Sequence, residues 1–191
     1  MPAPSPPKRT SPVKFKVMVA PKYQKVVIVG ATGKLGQFIA RAFLDRKDLF
    51  DVYLLVRPQT LKGSEKAELI NDFRMKGARL VENPLTDAKS LLPSIKGMDL
   101  FVSVVGDAAI GEQAWMIEAA KEAKIKRFIP SEFALDPDNA RFKEFSGKKE
   151  EIANLLAQSG LEYLRLSCGL FMDLLLSPTF GWNVRSLADF K

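Results

Sequence analysis

Gly30-Ala31-Thr32-Gly33-Lys34-Leu35-Gly36 spaces glycines as G-x-x-G-x-x-G, after one short apolar run and before a stretch with helical spacing. A strand-to-helix turn that cradles a pyrophosphate has three needs. It must reverse direction tightly, bring backbone close to the phosphates, and let the helix pack hard against the strand, and glycine meets each of them. The helix N-terminus then offers N–H groups and the positive end of its dipole to the anion. A glycine-rich turn without a ligand is the plainer explanation, but the position between strand and helix favours dinucleotide binding. The Gly-Lys-Ser/Thr of an ATPase phosphate loop does not occur at the required spacing.

The end of the next apolar run speaks to which dinucleotide. A site for NAD usually carries Asp or Glu there, to accept from the ribose 2′-hydroxyl. Here Val56 is followed by Arg57, whose guanidinium can fork onto a 2′-phosphate. Lys62 and Lys66 add positive potential nearby. The expectation is NADP(H) in preference to NAD(H); the plainer alternative is an exposed arginine at a strand end. The chain has no histidine, which removes Ser-His-Asp and Cys-His catalysis and most zinc sites, so no metal is expected. Its single cysteine, Cys168, cannot form an internal disulfide and suits a reducing, cytoplasmic setting.

The elements that must position these residues alternate. Strands are expected at 26–29, 52–56, 78–81, 100–105, 127–129 and 161–166. Helices are expected at 34–46, 65–76, from Thr86 to about Ile95, 112–123 and 147–158, with Gly77 and Ser159-Gly160 as stops. Strands that are apolar on both faces and separated by helices imply a parallel sheet covered on both sides. With right-handed crossovers the simplest arrangement is α/β, a doubly wound parallel sheet of the Rossmann NAD(P)-binding type.

The first 24 residues form a separate basic, proline-rich tail, with five prolines in the first twelve positions. Prolines spoil an amphipathic targeting helix, so a disordered extension is expected. The net charge of +7 belongs largely to this end. Residues 1–25 hold Lys8, Arg9, Lys14, Lys16, Lys22 and Lys25 and no acid, and removing those six from 29 bases leaves 23 against 22 acids. Phe15 and Tyr23 are the tail's aromatics. Nucleic acid is therefore not an expected partner. No apolar run is long enough to span a bilayer, so a membrane is not expected either.

Several segments together resemble the NmrA-like family, and within it the isoflavone reductase and phenylcoumaran benzylic ether reductase branch of atypical short-chain dehydrogenases. They are the glycine loop, Leu54-Leu55-Val56-Arg57, Lys66-Ala67-Glu68-Leu69-Ile70, Ser103-Val104-Val105-Gly106 and Lys126-Arg127-Phe128-Ile129-Pro130-Ser131-Glu132-Phe133. The resemblance covers about residues 25–176, the expected NAD(P)-binding domain. It implies that Gly30, Thr32, Gly33, Leu35 and Gly36 line the pyrophosphate and that Arg57 meets the 2′-phosphate. It also implies Val104, Val105 and Gly106 beside the nicotinamide ribose, and Ser131, Glu132 and Phe133 flanking the nicotinamide. For Val104 and Val105 the alternative of a plain core strand stays open.

The family's catalytic lysine precedes a core aliphatic by three residues. Lys149, ahead of Ile152, matches it, with Lys148 as the adjacent alternative. The Tyr-x-x-x-Lys pair of ordinary short-chain dehydrogenases is absent, because Phe145 stands four residues before Lys149 and Tyr163 is followed at that spacing by Ser167. The implied function is an NADPH-dependent reductase of a small molecule, aromatic by analogy with the branch. The alternative is a non-catalytic NADP(H)-sensing regulator with a protein partner or as a dimer. Two departures stand out. Asn83-Pro84 replaces the family's Gly-Asp after the third strand. Residues 177–191, with Trp182, are expected to be only the start of a C-terminal substrate lobe that is largely missing.

Overall fold

A computed structural model of the chain describes residues 22–134, 147–169 and 171. It forms one six-stranded sheet, β1 (Lys25–Val29), β2 (Asp51–Val56), β3 (Arg79–Glu82), β4 (Leu100–Ser103), β5 (Arg127–Ile129) and β6 (Glu162–Tyr163). All pairings are parallel and the spatial order is β3-β2-β1-β4-β5-β6. The helices are α1 (Gly36–Leu44), α2 (Pro58–Lys62), α3 (Ala67–Met75), α4 (Ala88–Ile95), α5 (Gln113–Glu122) and α6 (Gly147–Ser159), with a 3-10 segment over Asp107–Glu112. This is the doubly wound order, and it reverses between β1 and β4. No described helix is long and apolar enough to cross a membrane.

The apolar run of β1 explains its central place. Val26, Val27, Ile28 and Val29 are all buried, which only a strand covered on both faces requires. Alternation sends Val27 and Val29 to the face where Leu91, Ile95, Met116, Ile152 and Leu156 of α4, α5 and α6 pack. Val26 and Ile28 face Ala40, Leu44, Ile70 and Phe73 of α1 and α3. Phe101 and Phe128 are register partners in β4 and β5, and their rings stack with centroids 4.9 Å apart. Such a pair contributes about 0.5–1.5 kcal/mol beyond the area it buries.

Several boundaries move for local reasons. The first helix starts at Gly36, two residues later than expected, because Lys34 and Leu35 belong to the turn before it. α4 is capped by Asp87, whose side chain accepts from Ser90 N at 2.8 Å, so Thr86 lies outside the helix. The fourth strand ends at Ser103. Val104 N still donates to Val29 O at 2.9 Å before the chain turns through Gly106 into the 3-10 segment. That segment takes the place of the first residue expected in the fifth helical stretch.

The largest correction is β6. Instead of a core strand over 161–166 it is a two-residue edge strand, and Tyr163, Leu164 and Leu166 are about two-fifths exposed. β5 has three residues, so little is available for pairing, and no described strand lies beyond β6. Residues 22–24, counted with the tail in sequence, touch the domain. Lys22 and the Tyr23 hydroxyl meet the Glu162 carboxylate at 3.0 and 2.6 Å, and Gln24 N donates to Asp99 at 3.0 Å. Residues 1–21, Phe145 and the expected start of the substrate lobe over 177–191 lie outside the described residues.

The Glu162 cluster makes a pH-dependent clasp on the edge strand. The Tyr23 hydroxyl, then Arg127, then Lys22 hold the Glu162 carboxyl down from an ordinary 4.5 to about 2. Because the native carboxyl titrates below its unfolded value, its contribution is complete above about pH 4.5 and fades as pH falls toward 2. Glu162→Gln should melt below the parent at neutral pH, and the gap should close as the pH is taken below 4. Thermal melts of both proteins across that range check this. A gap independent of pH would show that the ionised carboxylate is not the stabilising group.

Candidate functional site: a dinucleotide crevice

At the carboxyl end of β1 the chain turns at Gly30, whose φ of +83° is a left-handed conformation that suits glycine. Space is as restrictive as the angle. A Cβ on Gly30 would stand 2.1 Å from the Val104 carbonyl oxygen. A Cβ on Gly36 would stand 2.0 Å from the Gly30 carbonyl oxygen. The turn is therefore pressed between the end of β4 and the first turn of α1. Gly33 N donates to Gly30 O at 3.0 Å and closes it.

Two cavities open on either side of this turn. The larger, about 410 Å³, is lined by Gly33, Leu35, Gly36, Val104, Val105, Gly106, Ser131, Glu132, Phe133 and Lys149, together with Lys34, Asp107, Ile110, Ala134, Gly169 and Phe171. The smaller, about 230 Å³, is lined by Gly30, Thr32, Arg57, Thr60 and Leu85 among others. Gly33, Val104, Val105 and Gly106 belong to both. Every site residue expected from the sequence thus borders one or both of these adjoining cavities at the point where strand order reverses, which is where open α/β sheets bind ligands. Val104 is at once core and wall, being buried and packed with Val26 and Ile28.

The far wall is the Ser131–Phe133 segment, and four separate elements fix it. Gln113, fully buried in α5, accepts from Ser131 N at 2.8 Å. The Ser131 hydroxyl donates to Val105 O at 2.7 Å. Arg165 lies 3.6 Å from the buried Glu132 carboxylate, which needs such a cation. Lys149, in the first turn of α6, donates to the Glu132 carbonyl at 2.8 Å. Lys148, the adjacent alternative, is exposed and is not among the residues lining either cavity. An ammonium has three N–H donors, so one bond to Glu132 O leaves two for the cavity.

The smaller cavity has a wall the sequence did not announce. Asn83, where the family pattern has glycine, is buried and accepts from Leu85 N at 2.8 Å in an Asx turn, while its amide donates to Ser90 O and Ser94 Oγ at 2.7 and 3.0 Å. That turn holds Leu85 at φ +56° and makes it the wall opposite Arg57 and Thr60. Pro58 at the first position of α2 was a usable signal for that short helix, which carries Thr60. Arg57 itself is half exposed, and its guanidinium is 3.7 Å from the Glu112 carboxylate. Gln113 gave no signal beyond its place on an otherwise apolar helix face. Among the described residues no group of His, Cys, Asp and Glu could hold a metal ion.

The fold and the crevice define a Rossmann-type dinucleotide-binding domain. A tight glycine turn at the switch point, a guanidinium beyond β2 and a lysine on the opposite wall fit a nicotinamide dinucleotide with a 2′-phosphate. The chain belongs to the NmrA-like family, whose model matches residues 22–184. It is 34% identical over 169 residues to isoflavone reductase homolog A622 of Nicotiana glauca, covering 86% of this chain and 54% of that protein. It is also 34% identical to phenylcoumaran benzylic ether reductase PT1 of Pinus taeda, covering 86% and 52%. Among solved structures it resembles AtPrR2 with NADP+ and (+)-pinoresinol, with a TM-score of 0.72, 31% identity, and 87% and 55% of the two chains covered. The chain spans about half the length of the curated relatives it matches.

The glycine contacts give a direct test. Gly36→Ala must displace backbone at Gly30, and it should cost about 1–3 kcal/mol of stability and weaken NADP+ binding at least about tenfold. Gly106→Ala meets nothing within 4 Å and should leave the melting temperature unchanged. Denaturant titration with calorimetry on both variants measures this. Parent-like binding by Gly36→Ala would show that the turn does not carry the pyrophosphate.

Proposed function

We propose that the protein is an NADPH-dependent reductase of a small molecule, with the dinucleotide laid across both cavities. The observation that supports this most is the convergence on one cavity of the glycine turn, the strand end at Val104–Gly106 and Lys149. In this arrangement Gly30, Thr32, Gly33, Leu35 and Gly36 take the pyrophosphate, and the first turn of α1 faces its charge. Arg57 holds the 2′-phosphate with Leu85 and Thr60 around the adenosine. Val104, Val105 and Gly106 lie along the nicotinamide ribose. Ser131, Glu132 and Phe133 shape the floor under the nicotinamide. When bound, the reduced cofactor supplies the hydride.

The chain's own chemistry is the proton. Reduction of a carbonyl or an ether carbon by hydride leaves an oxygen that needs one. Lys34 and Lys149 both line the cavity, and Lys149 is the one anchored on the Ser131–Phe133 wall. Its bond to the Glu132 carbonyl orients it, and its remaining N–H groups can donate to the substrate oxygen as a general acid. Ile110, Phe133 and Phe171 give the same cavity an apolar side that suits an aromatic substrate and keeps water from the reacting atoms. The absence of the Tyr-x-x-x-Lys pair does not block this step, because a single ammonium suffices as donor. A cytoplasmic setting suits the exposed thiol of Cys168.

The test is oxidation of NADPH against a panel of aromatic ethers and ketones, run beside titration of both dinucleotides. NADP+ should bind more tightly than NAD+, and Arg57→Ala should erase the difference. Lys149→Ala should keep cofactor affinity while turnover falls about a hundredfold to ten-thousandfold. Undiminished turnover in the Lys149 variant would remove that lysine from the mechanism. Cofactor binding with no turnover on any substrate would favour an NADP(H)-sensing role instead.

A further inference from the structure

The ion pair between Arg57 and Glu112 lies where the proposed cofactor needs a free cation. The two side chains are 44% and 40% exposed, and Arg57 Nη2 is 3.7 Å from Glu112 Oε2. An exposed pair of that length adds little to the stability of a fold. Glu112 Oε2 is nonetheless shut off from solvent and accepts no hydrogen bond from any described residue. A carboxylate oxygen in that state has given up water without gaining a donor, which is unfavourable unless a nearby cation offsets it. The nearby cation is Arg57.

Glu112 is the last residue of the 3-10 segment Asp107–Glu112, whose Ala109 lines the smaller cavity together with Arg57 and Thr60. The segment brings an anion of the chain itself to the guanidinium that lines that cavity. A 2′-phosphate carries close to two negative charges. Bound to Arg57, it would come within a few ångströms of this carboxylate, where like charges repel strongly. A 2′-hydroxyl would meet no such opposition.

We propose that Glu112 is a specificity-determining residue. Its carboxylate competes with the 2′-phosphate for Arg57 and holds down the preference for phosphorylated over unphosphorylated dinucleotides. It must swing off Arg57 when NADP(H) binds. This rests on the cofactor placement proposed above. It adds that the site is tuned toward less discrimination than Arg57 alone would give.

The experiment is calorimetric titration of the full 191-residue chain and of Glu112→Gln with NADP+ and with NAD+, with melts to establish that the variant is folded. Glu112→Gln should bind NADP+ roughly three- to tenfold more tightly and leave NAD+ within about twofold. The gain should shrink at high salt, because the repulsion is screened. Glu112→Asp, which draws the charge back from Arg57, should give part of the gain and serves if the glutamine variant does not fold. Unchanged NADP+ affinity would overturn the assignment. So would weaker NAD+ binding with NADP+ unaffected, which would make Glu112 an acceptor for a ribose hydroxyl. A parent that binds NADP+ while the substitution does nothing refutes the role of Glu112 alone. A parent that binds neither dinucleotide refutes the cofactor placement with it.

Discussion

Three backbone segments meet at the end of β1 with no room for a side chain between them. The Gly30 turn lies against the Val104 carbonyl, and Gly36 lies against the Gly30 carbonyl, at distances that leave no space for even one methyl group. This close approach fixes the geometry of everything downstream. It lets α1 start within reach of β4, so the helix N-terminus and the strand end open onto the same crevice. It also explains why the two cavities share Gly33 and the Val104–Gly106 segment as lining.

Around that contact the sheet supplies rigidity and the loops supply chemistry. β1 is buried on both faces, so its carboxyl end cannot drift relative to β4. The Ser131–Phe133 wall follows the short strand β5 and would be loose without help. Gln113, the Val105 carbonyl, Arg165 and Lys149 supply that help from four directions. Buried polar groups of this kind are satisfied by specific partners, and those partners set the shape of the cavity as firmly as apolar packing does. The smaller cavity is built differently. Leu85 is held in a left-handed conformation by the Asn83 side chain, a local device that needs no partner across the sheet beyond α4.

The parts of this arrangement visible in the sequence are those set by short-range rules. The glycine spacing, the continuous apolar strands and the alternation with helices state a doubly wound sheet, and the observed strand order is that arrangement. Arg57 is visible because it directly follows a strand, and the stretch from Lys126 to Phe133 because the family carries it. What escaped depends on contacts distant in sequence. Gln113 reaches Ser131 across 18 residues, and Arg165 reaches Glu132 from beyond β6. Apolar pattern made residues 161–166 a core strand. Pairing with a three-residue neighbour leaves them at an edge, a difference that no local property of Leu161 or Tyr163 encodes. The Asn83 turn was noticed only as a departure from the family, although Asn followed by Pro has a turn chemistry of its own.

The proposed function places one dinucleotide across both cavities, around the contact of Gly30 with Val104. A crystal structure of the chain with NADP+ tests it most directly. The 2′-phosphate should lie on Arg57, the pyrophosphate over the Gly33–Gly36 turn, and the nicotinamide between Val105 and the Ser131–Phe133 wall with Lys149 beside it. A dinucleotide seated with its adenine in the larger cavity, or bound wholly away from the glycine turn, would contradict the claim.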